Sequence, residues 1–229
     1  MGNKIKIALI GYGKMGKEID VLCKDSKTFE VVSISFKNNL SAQAGNDQLD
    51  LKGIALADVA IDFTSKDVVI KNIEEVAKLG VNLVVGTTGW SDKLDIVKKI
   101  VEKNKIGLIY SPNFSIGVNI FFKMMDTAAK LFAKFPEYDV YGLEVHHKAK
   151  LDSPSGTALK ITDKIKNLHF NSVRAGSNPG FHEVVFDSSA DKITFSHQAY
   201  NRVGFAKGAL KAAKMIKNKK GIFTFEEIL

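Results

Sequence analysis

Between Glu144 and Ala158 the chain reads EVHHKAKLDSPSGTA. No other stretch packs as much reactive chemistry into so few positions. Two adjacent histidines precede two lysines, an aspartate, a Pro-Ser-Gly turn and a threonine. Histidine titrates near neutrality and can donate or accept a proton. The lysines add ammonium groups, and the Ser155 and Thr157 hydroxyls add donors. A helix opening at this turn would leave backbone N–H groups unpaired, which favours an anion. Protonation of a carboxylate-bearing substrate suits that set. Taken alone, the segment reads equally well as a solvated strand edge followed by an ordinary helix cap. A metal site is disfavoured. Neighbouring histidines on a strand face apart, and the single cysteine, Cys23, lies far away in sequence.

These residues need elements to position them. Residues 138–145 read as a strand, with Leu143, Val145 and His147 on one face and Glu144 and His146 on the other. The following ALKITDKIKNL has helical spacing, which puts Pro154, Ser155 and Gly156 on a strand-to-helix turn. At the start of the chain, residues 4–10 form an apolar strand running into Gly11-Tyr12-Gly13-Lys14-Met15-Gly16. This is G-x-G-x-x-G between a strand and a helix. The first glycine permits a tight turn, the second admits a pyrophosphate, and the third lets helix and strand pack. Dinucleotide binding is the expectation, with a Gly-rich turn lacking a ligand as the alternative.

Residues 29–36 form the second strand. An acid at its end would hold the ribose hydroxyls of NADH, but the chain continues Phe36-Lys37-Asn38. Phe36 cannot accept a hydrogen bond and Lys37 can pair with a phosphate, so NADPH is expected to be favoured over NADH. Residues 39–57 are polar and weakly periodic. Further strands at 59–63, 82–85 and 107–110 end in Phe63-Thr64, Gly86-Thr87-Thr88 and Ser111-Pro112-Asn113-Phe114, where open α/β sheets bind ligands. For Thr87 and Thr88, helix capping is the plainer reading.

Beyond this point the pattern changes. Residues 118–135 form a helix with an aromatic stripe, read as core. Residues 170–178 look like a loop, 183–186 and 192–197 a hairpin, and 203–216 a helix followed by a short strand. The fold class is α/β. A Rossmann-type nucleotide-binding domain takes residues 1–113 and 203–229. A second, smaller α+β domain takes residues 114–202.

Composition narrows the classes. The 229 residues are 25% charged and 45% hydrophobic, as in ordinary globular proteins. The net charge of +8 suits an anionic cofactor and substrate, while the scattered lysines with no aromatic-basic module argue against nucleic acid. One cysteine gives no disulfide framework. No apolar run reaches the ~18 residues of a membrane span, and a cytoplasmic location is expected.

The Glu144–Ala158 segment resembles the signature of the dihydrodipicolinate reductase family, E-[A/T]-H-H-x-x-K-x-D-A-P-S-G-T-A, departing at Val145 and Ser153. Asp62-Phe63-Thr64, Gly86-Thr87-Thr88-Gly89, Ser111 to Ser115, Arg174 to Glu183 and Arg202 to Ala209 are similar to further family motifs, in the family's order. The resemblance implies NADPH- or NADH-dependent reduction of a cyclic imine dicarboxylate on the lysine and diaminopimelate pathway, by a homotetramer. It implies that His146 transfers a proton, and that Lys150 is a second proton donor and carboxylate partner. His147, Ser155, Gly156 and Thr157 would bind the dicarboxylate. The resemblance also implies that the second domain binds substrate and carries the oligomer contacts. No metal is implied. Two other classes stay open: a different small-acid oxidoreductase, of the aspartate- or homoserine-dehydrogenase kind, and a non-catalytic nucleotide sensor.

Overall fold

A computed structural model describes residues 3–36 and 49–229. The chain divides into two compact units, Met1–Ser115 with Phe205–Leu229, and Ile116–Gly204.

In the first unit, short apolar runs alternate with amphipathic helices. The strands are β1 (Ile5–Ile10), β2 (Phe29–Ser35), β3 (Val59–Asp62), β4 (Asn82–Val85), β5 (Gly107–Tyr110) and, after the second unit, β10 (Gly221–Thr224). They form one sheet in the order β10-β5-β4-β3-β1-β2, and every pairing is parallel. A parallel sheet is covered on both faces, so its strands are apolar throughout rather than alternating. Ile7, Leu9, Ile61, Leu83 and Leu108 are fully buried accordingly. The helices are α1 (Lys14–Lys24), α2 (Leu51–Ile54), α3 (Val69–Lys78), α4 (Leu94–Asn104), α7 (Val203–Ile216) and α8 (Phe225–Ile228). The strand order reverses about β1, which has β2 on one side and β3 on the other. That switch point opens a crevice at the carboxyl ends of the strands, where such sheets take their ligands.

Buried Asn82 ties the strands to α7. Its Nδ2 donates to the carbonyls of Ile216 (2.7 Å) and Lys217 (2.9 Å), and its Oδ1 accepts from the Gly107 N–H at 2.7 Å. Two carbonyls at the helix end, which have no partner within the helix, are satisfied in this way.

The second unit contains α5 (Ile116–Phe132), β6 (Asp139–His146), α6 (Gly156–Thr162), β7 (Phe170–Arg174), β8 (Phe181–Asp187) and β9 (Lys192–Gln198). Its sheet runs β7-β6-β8-β9, with β6 and β7 parallel and the other pairs antiparallel. The aromatic stripe of α5 is core. Val118, Phe121, Phe122 and Met125 pack with Ile161, Ile165, Val184 and Phe186, and the Phe132 and Phe186 rings stack at 3.9 Å. The β8–β9 hairpin forms as its sequence predicts.

Two expectations are corrected. Residues 170–174, read as loop, are β7. Its Ser172 and Arg174 lie opposite Glu144 and His146 and face the same buried network, so the strand shows no apolar alternation to reveal it. The regular part of α6 ends at Thr162, short of Leu168, and buried Ile165 and Leu168 lie beyond it.

Candidate active site

In the first unit, the expected cofactor residues lie at the carboxyl ends of neighbouring strands. Gly11 has φ +90°, and a Cβ there would stand 2.4 Å from the Phe63 carbonyl oxygen. A Cβ on Gly16 would lie 2.2 Å from the Gly11 carbonyl oxygen, so α1 can approach β1 only without one. At Gly13 nothing lies within 4 Å of the Cβ position. Packing therefore requires the first and third glycines but not the second, and open space beside the second is what an approaching pyrophosphate needs. Gly13 is also the N-cap of α1 and has no side chain to close the helix's first N–H groups. Those free donors suit a phosphate. Tyr12, Lys14 and Met15 complete the loop, and the Tyr12 hydroxyl donates to Asp20 at 2.6 Å.

The other loops are joined to this one. Gly86 lies against the Phe63 ring, where a Cβ would approach to 2.1 Å. Thr64 N–H donates to Thr87 Oγ1 at 2.8 Å. Thr88 is exposed, whereas Thr87 is buried. Ser111 Oγ donates to the Asn113 carbonyl at 2.8 Å, and Pro112 lies exposed beside them. Phe114 is buried between Phe63 and Phe225, with ring centroids at 6.2 and 5.0 Å. Lys37 lies outside the described residues. Phe36, just before it, is exposed, with its ring 6.0 Å from that of Tyr12.

One residue beneath these loops, the first of the Asp62-Phe63-Thr64 motif, was not expected to have a role of its own. Asp62 is wholly buried. Its Oδ1 accepts from Thr64 N–H (3.0 Å), Thr64 Oγ1 (2.7 Å) and Thr87 Oγ1 (2.7 Å), and its Oδ2 accepts from Asn72 at 2.8 Å. Burial raises its pKa, and the hydrogen bonds oppose that.

The second unit carries the histidine cluster. Glu144 and His146 share the inward face of β6, as strand alternation requires, and both are buried. Glu144 Oε1 accepts from Ser155 N–H (3.0 Å), Ser172 Oγ (2.7 Å) and Arg174 Nη2 (2.6 Å). Burial pushes the Glu144 carboxyl up, but these donors together hold it down at about 2. Its Oε2 lies 3.5 Å from His146 Nδ1 and 3.5 Å from His182 Nε2. The two imidazoles meet edge to face, with centroids 5.0 Å apart. Desolvation lowers the His146 pKa, and the Glu144 carboxylate opposes it. Desolvation, reinforced by His146, pushes His182 down to about 4.

Lys150 Nζ pairs with Asp152 at 2.7 and 2.9 Å. His147 is half-buried, and its N–H donates to the Asn178 carbonyl at 2.8 Å. Ser155 caps α6: its buried Oγ accepts from the Ala158 N–H at 3.2 Å and lies 3.1 Å from His182 Nε2. Gly156 is exposed, with open space at its Cβ position, and Thr157 is half-buried.

Ser172, Arg174 and His182 come to the cluster from β7 and β8. Only the Arg174-to-Glu183 motif pointed to two of them. His182, on β8, adds a histidine that is not a sequence neighbour of His146. Glu144, His146 and His182 offer atoms within 4.8 Å of one another. The Arg174 guanidinium on Glu144 makes the cluster a poor home for a dication.

Both units match one family. Residues 5–114 match the family model for the dihydrodipicolinate reductase N-terminus, and residues 117–229 match the model for its C-terminus. The chain belongs to the dihydrodipicolinate reductase family. A 4-hydroxy-tetrahydrodipicolinate reductase from Christiangramia forsetii is 36% identical, with 98% of each chain covered. One from Methanosarcina acetivorans is also 36% identical, over 93% of this chain and 87% of its own length. Among solved structures, a dipicolinate-bound dihydrodipicolinate reductase from Paenisporosarcina sp. TG-14 superposes with a TM-score of 0.81 at 26% identity, covering 99% of this chain and all of that one. The dihydrodipicolinate reductase signature at Glu144–Ala158 is thus the part of the chain that folds around the buried carboxylate.

Proposed function

We infer that this chain is an NAD(P)H-dependent oxidoreductase that reduces 4-hydroxy-tetrahydrodipicolinate to tetrahydrodipicolinate in lysine and diaminopimelate biosynthesis. The observation that carries this is the match of both units to one reductase family, with near-full-length relatives of that activity.

The conversion removes the 4-hydroxyl as water and adds one hydride and one proton. The reduced dinucleotide supplies the hydride when bound. Residues Gly11 to Gly16 hold its pyrophosphate; Phe63, Thr64, Gly86, Thr87, Thr88 and Ser111 to Phe114 line the remainder. Lys37 favours NADPH, with NADH still used. The dicarboxylate, the class of ligand named for the Paenisporosarcina enzyme, is held by His147, Ser155, Gly156 and Thr157. His146 delivers the proton from Nε2, and Lys150 is the second group able to donate it and a cation for a carboxylate. The first unit is the nucleotide domain, while the second carries the substrate and the contacts of a homotetramer. No helix among the described residues is long and apolar enough to cross a membrane, in keeping with cytoplasmic work.

Expression in a bacterium that lacks its own reductase and depends on added diaminopimelate tests the reading. The chain should restore growth without the supplement. No rescue by folded, abundant protein would reject the assignment.

A further inference from the structure

The carboxylate of Glu144 reaches two parts of the site at once. Oε1 accepts from the Ser155 N–H, and Ser155 opens the turn that carries Gly156 and Thr157. Oε2 faces His146 Nδ1 at 3.5 Å. Both of these facing atoms are sealed from solvent without a hydrogen-bond partner, whereas His146 Nε2 is not among the sealed atoms. Nε2 points to Gly180, where a Cβ would stand only 3.2 Å away and crowd it. The two nitrogens of one ring therefore differ: Nδ1 meets a fixed anion, and Nε2 meets a side kept clear.

We propose that Glu144 is a positioning residue for proton transfer. Its Oε2 holds the His146 ring through Nδ1–H, so that Nε2 exchanges the proton, while its Oε1 holds the Gly156–Thr157 turn in register with that ring. This rests on the reading of His146 as the proton donor. The 3.5 Å gap lies just outside a hydrogen bond, and such contacts commonly tighten once substrate is bound.

Desolvation disfavours the imidazolium of His146, and the charge on Glu144 is the main influence opposing it. The other groups facing His146 are His182 from β8, Arg174 from β7, and Lys150 and Asp152 from the following loop. Lys150 and Arg174 oppose a positive ring, while Glu144 and Asp152 favour one. Of the two anions only Glu144 is buried beside the ring, where its field is least screened.

Glu144→Gln separates positioning from mere packing. Three donors surround Oε1, so the Gln carbonyl oxygen takes that place and its NH₂ takes the place of Oε2. The NH₂ then donates to His146 Nδ1, which moves the neutral ring's proton to Nε2 and removes the anion that sustained the imidazolium. The expected loss in kcat is roughly 10²-fold, the lower end of what a placed proton donor contributes, with cofactor KM unchanged. The limb over which kcat falls with rising pH moves to lower pH.

Imidazole ¹⁵N shifts read the tautomer directly, with His146 assigned by the signal lost in His146→Gln. The wild-type neutral ring should carry its proton on Nδ1, and the Gln variant on Nε2. A wild-type Nε2–H tautomer overturns the proposal even if the variant fails to fold, as does a variant with native kcat and pH profile. A wild-type chain that shows Nδ1–H yet turns nothing over supports the positioning and overturns the reaction read above.

Discussion

The Thr87 hydroxyl donates to the carboxylate of Asp62 at 2.7 Å, joining the loop after β4 to the end of β3. Thr64 donates to the same oxygen twice, from its N–H and its hydroxyl. One buried carboxylate thus fixes two of the loops proposed to line the cofactor, without itself reaching the surface.

Asp62→Ala should cost stability and cofactor affinity together. It strands the Thr64, Thr87 and Asn72 donors, each left unsatisfied at roughly 1–3 kcal/mol if no water replaces the carboxylate. Chemical denaturation and NADPH titration should both show the loss. An unchanged dissociation constant in the folded variant would mean that the loops hold their shape without Asp62.

The glycine loop gives a paired test. Gly16→Ala drives a methyl onto the Gly11 carbonyl oxygen, and overpacking of this kind costs about 1–3 kcal/mol. Gly13→Ala meets no protein atom, so stability should fall by no more than about 1 kcal/mol, the cost of a poorer N-cap. Its cofactor KM should rise on the order of tenfold, as lost backbone hydrogen bonds to phosphate imply. The reverse ranking in melting temperature would contradict the assigned roles of the two glycines.

The first unit was largely legible in the sequence, because a parallel sheet writes itself as apolar runs and its ligand loops as glycines and hydroxyls. The second was legible only in part. Glu144 and His146 could be placed on one face of β6 by alternation, yet nothing showed how that charge would be satisfied. The answer lies on β7, whose inward residues Ser172 and Arg174 are polar and therefore gave no strand signal, and at His182 on β8. Burial of a charge requires partners from elsewhere in the chain, and partners drawn across a sheet leave no periodic trace.

Acid should destabilise the protein through His182. Its folded pKa of about 4 lies below the unfolded value of about 6.5. The unfolded chain therefore binds the proton more readily, and stability falls as pH drops from about 6.5 to about 4. The difference corresponds to about 3 kcal/mol. Melting temperature followed over that range should decline, and His182→Gln should flatten the decline. Parallel curves for both proteins would show that His182 is not the group responsible.

Cofactor choice should follow Lys37. A charge-assisted contact to a 2′-phosphate is worth roughly 1.5–3 kcal/mol, or about ten- to a hundredfold, nearer the lower figure if exposed to solvent. kcat/KM at low salt should favour NADPH, and Lys37→Ala should erode the preference. An NADH preference in the native enzyme would remove Lys37 from the site.

The assigned reaction is tested most directly by following absorbance of NADPH with the substrate generated enzymatically in the cuvette from pyruvate and aspartate semialdehyde. Oxidation should begin only once both precursors have condensed, and His146→Gln should slow kcat by roughly 10²–10⁴-fold with little change in KM. No oxidation by the folded native chain, or native turnover by His146→Gln, would contradict the account.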